Sequence, residues 1–387
     1  MPEKKIPETK NKASAPIYDC LVVGAGISGL TAADHLQRSG WNVAVLDKAR
    51  GAGGRMATRR KKVNPDWANP VWANPVWDHG AQYMTVRTPV AQALLDQWRA
   101  NMPEPDYGQL QDWYNLAPSQ DQHSVRWIGT RGMTTLPKYL AASLTTFFET
   151  RIVNIGLQSF SRAFLWELTA DDGRQFRGQN IVLTMPVPQA VVLIEASQET
   201  LKDLGSAFNT TAFESMKSIQ YDPCLAVLAE LSSPSNIPPP GFVEFRDSPE
   251  TANAPLAFLG DNYQKGISSA YTVTLHGSPE WSKAYFDAAE TEITHQLIQA
   301  AAPWLDISQH NLSQVISTQL MRWRYSQVSK KNASTSFPEG FCTLSDEPGL
   351  LLAGDGFGGP RIEAAILSGL SAAKALTSTN KIPAIKV

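Results

Sequence analysis

The run Tyr18-Asp19-Cys20-Leu21-Val22-Val23-Gly24-Ala25-Gly26-Ile27-Ser28-Gly29 constrains the fold more than any other stretch of the chain. Cys20 to Val23 is a short apolar run of the kind buried in a parallel sheet, and Cys20 is expected inside that strand. The run passes directly into Gly24-x-Gly26-x-x-Gly29 and then into a helical pattern through Leu30, Ala33 and Leu36. Gly40 ends the helix, and Val43-Ala44-Val45-Leu46 forms a second strand that closes with Asp47. Gly24 permits a tight turn, Gly26 lets a pyrophosphate approach the backbone, and Gly29 lets helix and strand pack closely. The free N–H groups at the helix start face the phosphates, and Asp47 falls where a carboxylate accepts hydrogen bonds from an adenosine ribose. Strand, turn, helix, second strand and acid in this order predict an adenine-dinucleotide site.

The next residues choose the dinucleotide. Arg50, Gly51, Gly53, Gly54 and Arg55 follow the acid closely, so the chain can pass the pyrophosphate a second time with Arg55 supplying charged donors. Dehydrogenases that use only NAD do not need this second pass. Near the other end, Leu350 to Ala353 reads as a buried strand, followed by Gly354-Asp355, a glycine-rich turn and a helix from about Ile362. Such an aspartate suits ribityl hydroxyls or pyrophosphate, and the helix N-terminus suits the flavin edge where negative charge collects on reduction. The two motifs together predict FAD.

With these motifs in place, the chain resembles the renalase-like FAD oxidoreductases of the flavin amine oxidase superfamily. The resemblance rests on "DKARGAGGRM", "DHGAQYMT", "WIGTRGMTTLPKYL", "IVLTMPVPQAV" and "GDGFGGPRIEAAILSG", spread from Ile17 to Leu376. It implies an α/β fold with a Rossmann-like FAD-binding domain of the flavin amine oxidase type and a second, α+β substrate domain. It also implies non-covalent FAD and oxidation of isomeric dihydronicotinamides of the NAD(P)H type, with O2 reduced to hydrogen peroxide. The residues assigned to the cofactor are Gly24, Gly26, Ile27, Ser28, Gly29, Asp47, Lys48, Arg50, Gly54, Arg55, Met56, Ala81, Gln82, Val153, Asp355, Arg361 and Ile362. Gln82 and Tyr83 are the first candidates for the substrate pocket, followed by Trp127, His276, Arg322, Trp323 and Tyr325.

The residues agree with such chemistry in what they lack. A dihydropyridine donates hydride without a protein base, and no nucleophile or acid/base constellation is evident. Ser28 lies in the dinucleotide turn and not in a nucleophile elbow, and His79 and His276 stand alone, without metal-ligand spacing. Two alternatives stay open, one of them from another class. One is a flavin amine oxidase, and the other is a flavin-bound sensor or scaffold.

Composition narrows the partners. A net charge of −2 over 387 residues excludes nucleic acid as the main partner, because phosphate backbones need a basic face. Three scattered cysteines suit a reducing compartment, and no apolar run reaches the roughly 18–20 residues of a membrane span. A soluble, cytoplasmic enzyme with a polar N-terminal tail over residues 1–16 is expected. The FAD domain is expected to be discontinuous, over 17–87, 131–193 and 345–378, with 88–130 and 194–344 building the substrate domain. Asp171-Asp172-Gly173 reads as a hairpin turn and Ser232 to Gly241 as a proline-rich surface loop.

One feature stays outside this scheme. Val63-Asn64-Pro65-Asp66-Trp67, Ala68-Asn69-Pro70-Val71-Trp72 and Ala73-Asn74-Pro75-Val76-Trp77 repeat one another between two expected strands. Asn-Pro steps forbid regular pairing, so the repeat reads as a lengthened hairpin tip, with the strand resuming at Trp77. Trp67 and Trp72 are the residues such a tip offers to a partner or lid.

Overall fold

The computed structural model describes residues 16–61, 75–116, 125–160, 163–245, 254–307, 314–329 and 337–378. The N-terminal tail and most of the Asn-Pro-Trp repeat lie outside these residues. In the first part of the chain come β1 (Ile17–Val23), α1 (Ile27–Arg38), β2 (Val43–Leu46), β3 (Thr58–Arg60) and β4 (Val76–Asp78). α2 (Pro89–Asn101), α3 (Glu104–Tyr107), β5 (Leu110–Asp112), β6 (Trp127–Gly129) and α4 (Thr135–Ala142) follow. Next are β7 (Thr145–Phe147), β8 (Ile152–Phe160), β9 (Ala163–Ala170) and β10 (Gln175–Leu183). After them come α5 (Val187–Ala196), α6 (Gln198–Leu201) and α7 (Thr210–Met216). β11 (Tyr221–Leu231), β12 (Phe242–Glu244), β13 (Leu256–Asp261) and β14 (Thr272–Gly277) then lead to α8 (Pro279–Ala284) and α9 (Glu290–Leu305). The last elements are β15 (Val315–Val328), β16 (Phe341–Ser345), β17 (Leu350–Ala353), α10 (Asp355–Gly358) and α11 (Ile362–Ser378).

An eight-stranded sheet orders its strands β16-β17-β10-β1-β2-β7, with β9 on β10 and β8 on β9. β1 pairs in parallel with β2 and β10, and β10 pairs in parallel with β17. The continuous apolar runs of β1, β2 and β17 follow from this placement, because a parallel sheet is covered on both faces. Cys20 is fully buried there, as expected. α1 and α11 cover one face and cross so closely that a Cβ at Gly369 would stand 2.1 Å from the Ser28 carbonyl oxygen. Asp171 to Gly173 form the turn between β9 and β10, with Gly173 at φ +84.

A second, antiparallel sheet of five strands runs β12-β13-β14-β11-β15. α9 packs its buried Ile293, Leu297, Ile298, Ala301 and Leu305 against it in a core of its own. Packing groups elements that are distant along the chain. α2, Trp113 and Ile128 share a core with α1 and β1, and Leu201, Phe213 and Met216 share one with β10 and β17. β16 begins at Phe341 and pairs with β17, so the last part of the first sheet starts before residue 345. Apolar surface, which a linear reading cannot see in three dimensions, decides these memberships.

The strand after the repeat resumes one residue earlier than expected, since β4 takes in Val76 as well as Trp77. Trp77 is 5% exposed and donates from Nε1 to the Ala229 carbonyl of the second sheet, 3.0 Å away. Trp67 and Trp72 lie outside the described residues.

β4 pairs with β3 and lies against the second sheet through Thr272 and Thr274. Its last residue, Asp78, is fully buried and pairs with the equally buried Lys265 at 2.7 Å, from the turn between β13 and β14. Asp78 Oδ1 accepts from the Thr58 hydroxyl at 2.6 Å and from the Met133 amide at 2.8 Å. Lys265 also donates to the Gln82 carbonyl at 2.5 Å, and its Nζ lies 4.6 Å from the centre of the Trp113 ring. Burial lowers the lysine pKa and Asp78 opposes that shift. Two charges removed from water survive only because each satisfies the other.

Lys265→Met strands the Asp78 carboxylate and is expected to cost about 3–5 kcal/mol of stability. Adding Asp78→Asn should recover part of that loss. Denaturant melts of both single variants and the double variant measure the coupling; strictly additive losses would show that the pair is not coupled.

Candidate functional site

The Gly24–Gly29 turn has the geometry that the sequence asks of it. Gly24 adopts φ +117, a conformation that side chains oppose. A Cβ at Gly29 would stand 2.0 Å from the Gly24 carbonyl oxygen, so only glycine lets α1 start so close to the strand end. Around Gly26 the opposite holds: a Cβ would meet nothing within 4 Å. That open side, at the positive end of α1, is the space a pyrophosphate needs. Ile27 is buried behind it, and Ser28 Oγ is buried without a hydrogen-bond partner.

Asp47 braces this turn. Its carboxylate accepts from the Ala25 amide at 2.5 Å and the Ala49 amide at 2.7 Å. The second glycine loop crosses the first here. Gly53 donates to the Ala25 carbonyl at 2.9 Å, and a Cβ at Gly54 would stand 3.4 Å from the Gly26 Cα. Met56 is buried at the foot of this crossing, and Ala81 donates to the Arg55 carbonyl at 2.8 Å. Farther out, Lys48 donates to Gln189 at 3.1 Å, Arg50 faces Glu149 at 3.6 Å, and Val153 is 42% exposed at the start of β8.

Arg55 lies where the chain segments converge. Both terminal nitrogens donate to Asp355, each at 2.6 Å, and Nη1 also donates to the Ser326 carbonyl at 3.1 Å. The guanidinium carbon stands 5.6 Å from the centre of the Tyr221 ring, whose hydroxyl donates to Asp355 at 3.2 Å. Burial pulls the arginine pKa down, but the Asp355 carboxylate outweighs it and the net shift is upward. The expected turn after Asp355 is one helical turn, α10, and Arg361 directly precedes Ile362, where α11 starts.

The wall facing β4 and β14 gathers several expected pocket residues. His79 stacks on Trp323 with ring centres 5.2 Å apart, and Trp323 Nε1 donates to the His79 carbonyl at 2.9 Å. The His276 ring makes a hydrogen bond to the main chain of the same residue. Gln82 is buried, and its Nε2 donates to the carbonyls of Asp78 at 2.6 Å and Gly80 at 3.2 Å. Tyr83 packs against Phe258 at 6.4 Å, and Phe258 lies 5.9 Å from the His276 ring. Burial pushes both His79 and His276 down to about 4, so both rings are neutral at neutral pH. His79 Nδ1, Gln82 Oε1 and His276 Nε2 are buried without partners.

Two candidates leave this wall. Trp323 and Tyr325 point toward His79 and Tyr221, so Arg322, one residue out of phase on β15, points to the other face. There it donates to the Phe286 carbonyl at 3.1 Å and the Ala288 carbonyl at 2.8 Å. The Trp127 ring is covered by the Arg99 guanidinium of α2 at 4.4 Å, which ties it to that helix.

Sequence reasoning did not find Tyr221, Lys265 or the Arg126 cluster. Arg126 pairs with Glu244 at 2.5 Å and lies 4.2 Å from the Tyr83 ring centre, while the Tyr83 hydroxyl donates to Glu244 at 2.5 Å. No motif marks these residues, because each has a charged partner more than a hundred positions away. Among the described residues no group of acids, histidines and cysteines is arranged to hold a metal, and no helix is long and apolar enough to cross a membrane.

Comparison with known proteins agrees with this geometry. Residues 22–98 match the family described as NAD(P)-binding Rossmann-like domain, and residues 100–377 match the family described as flavin containing amine oxidoreductase. A 44-residue stretch is 50% identical to lysine-specific histone demethylase 1 homolog 3 of Arabidopsis thaliana, spanning 11% of this chain and 3% of that protein. An engineered putrescine oxidase superposes with a TM-score of 0.60 at 13% identity, over 94% of this chain and 99% of its own. A putative protoporphyrinogen oxidase from Exiguobacterium sp. 255-15 superposes with a TM-score of 0.57 at 14% identity, over 93% and 98%. At these identities the structural matches establish the fold.

Gly26→Val should fill the open side of the turn. FAD affinity is expected to fall at least about tenfold, while the apoprotein stays within about 1 kcal/mol of the parent. Flavin content after gel filtration and a melt of the apoprotein check the two halves. The histidines add a pH dependence. Their folded pKa values near 4 lie below the ordinary 6.5, so the unfolded chain binds protons that the folded chain refuses. Their contribution is fully present above pH 6.5 and is lost as the pH falls toward 4. The melting midpoint should therefore drop between pH 7 and pH 5, and less so in a His276→Gln variant; an unchanged slope would remove His276 from the effect.

Proposed function

From the premise that the chain belongs to the flavin containing amine oxidoreductase family, we propose that it is an FAD-dependent oxidase of isomeric dihydronicotinamides. The FAD, when bound, accepts hydride from the substrate and passes the electrons to O2, giving hydrogen peroxide. In this reading the Gly24–Gly29 turn and the start of α1 hold the pyrophosphate, and Asp47 receives the ribose. Arg55 and Asp355 fix the relation between the glycine loops and the last helix of the cofactor domain.

The observation that carries the reading is the neutral wall of His79, Gln82, His276 and Trp323. Both histidines are held unprotonated, and the nearby lysine and aspartate are committed to each other. Such a wall shields and orients a flat ring but offers no general base. A dihydropyridine needs none, because its own ring nitrogen drives hydride loss. The resemblance through "GGRM", "GAQYM" and "TMPVPQ" points to the same substrates.

A flavin amine oxidase is the second reading. Tyr221 and Tyr325 favour it, with rings 6.0 Å apart at 80° beside Arg55 and Asp355, since an aromatic pair suits an aliphatic amine.

Anaerobic mixing separates the two. Isomeric dihydronicotinamides are expected to bleach the flavin at least about a hundredfold faster than ordinary NADH or a primary amine, a barrier difference of about 2.7 kcal/mol. Rapid bleaching by amines alone would overturn the proposal in favour of the second reading.

A further inference from the structure

Two buried atoms in the wall have a fixed hydrogen-bonding character and no partner. The Gln82 amide donates through Nε2 to the carbonyls of Asp78 and Gly80. Only its NH2 end can donate, so those bonds fix the amide orientation and leave Oε1 as a bare acceptor, buried and unpartnered. His276 is fixed in the same way. Its ring bonds to the His79 main chain, and Nε2 is buried without a partner, so Nδ1 carries the proton and Nε2 the lone pair.

Gln82, in the loop after β4, and His276, on β14, lie on the same face of β13 and β14. Thr274, two residues before His276 on the same face of β14, donates at 3.0 Å to the Asp78 oxygen that Gln82 Nε2 also bonds. Gln82 Oε1 lies 3.2 Å from where a Cβ at Gly260 would stand. Gly260 pairs with Thr274 and Phe258 pairs with His276 across β13 and β14. Leaving both acceptors unmet is unfavourable, and a ligand with matching donors removes that penalty.

We propose that Gln82 Oε1 and His276 Nε2 receive the two N–H bonds of a neutral primary carboxamide on the substrate ring. This rests on the dihydronicotinamide reading above. A hydroxyl has only one hydrogen to offer. An ammonium has enough, but the Lys265 ammonium lies within electrostatic reach of His276, and the Asp78 carboxylate is already committed to Lys265, Thr58 and Met133. A ring carboxylate would set acceptor against acceptor. A methyl ketone keeps the shape and loses both donors. Gln82 and His276 are thus specificity residues that read the ring substituent.

Titration of the FAD-bound protein with nicotinamide, 3-acetylpyridine and nicotinate, followed by flavin difference spectra, tests this without turnover. Nicotinamide is expected to bind at least about tenfold tighter than 3-acetylpyridine, or about 1.4 kcal/mol, with nicotinate weaker still. In protein reconstituted with excess FAD, Gln82→Met and His276→Phe should each bring the first ratio close to one. Equal binding of nicotinamide and 3-acetylpyridine by the unaltered protein would overturn the proposal whatever the variants do. So would a preference that survives both substitutions. Flavin reduction by dihydropyridines without regard to the ring substituent would sink the subsite and leave the oxidase. An amide preference without any reduction would sink the oxidase and leave an amide site.

Discussion

The bidentate pair of Arg55 and Asp355 is the constraint on which the rest of the site depends. It closes a loop of 300 residues and places the second glycine pass against the last helical region. The half-buried guanidinium takes its partners from three places: Asp355, the Ser326 carbonyl of β15 and the face of Tyr221 on β11. Strands of the second sheet are thereby fixed to the dinucleotide cradle of the first. The geometry of the wall follows, because Trp323 and Tyr325 lie on the same strand as Ser326.

The charge pattern divides the interior into two kinds of place. Arg55–Asp355, half-buried, and Asp78–Lys265, fully buried, are ions matched one to one, and they hold elements together. Between them lies a region where polar groups are present but uncharged, with His79 and His276 kept neutral by burial. Matched ions give rigidity at little cost in field, since opposite charges cancel at a distance. The intervening wall can therefore be polar enough to orient a ring while remaining electrostatically quiet.

The sequence made the cofactor half legible and the substrate half only in part, for a physical reason. Gly24, Gly26, Gly29, Asp47 and the strand before Asp355 are local motifs, and each residue's task is set by neighbours a few positions away. Lys265 has no such context. Its partner Asp78 is 187 residues distant, and nothing in "DNYQKGISS" distinguishes a buried lysine from a solvated one. Arg322 was misplaced by a single step of strand alternation, which periodicity alone cannot anchor when both faces of β15 carry polar residues. Core membership is hidden for a related reason. α2 and Trp113 join the core beside α1 through apolar contacts that no composition shift announces.

The Arg55–Asp355 pair also sets a timetable. Synthesis from the N-terminus makes the Gly24–Gly29 turn and Arg55 early, but Asp355 emerges only 300 residues later. At about 5–20 residues per second that interval is roughly 15–60 s. Through it Arg55 is a solvated cation without its acceptor, and α1 lacks the α11 surface that Gly369 presses onto Ser28. The cofactor cradle is consequently a late product of assembly. Nascent chains halted before Asp355 would carry the dinucleotide motif yet have no finished place to put the flavin.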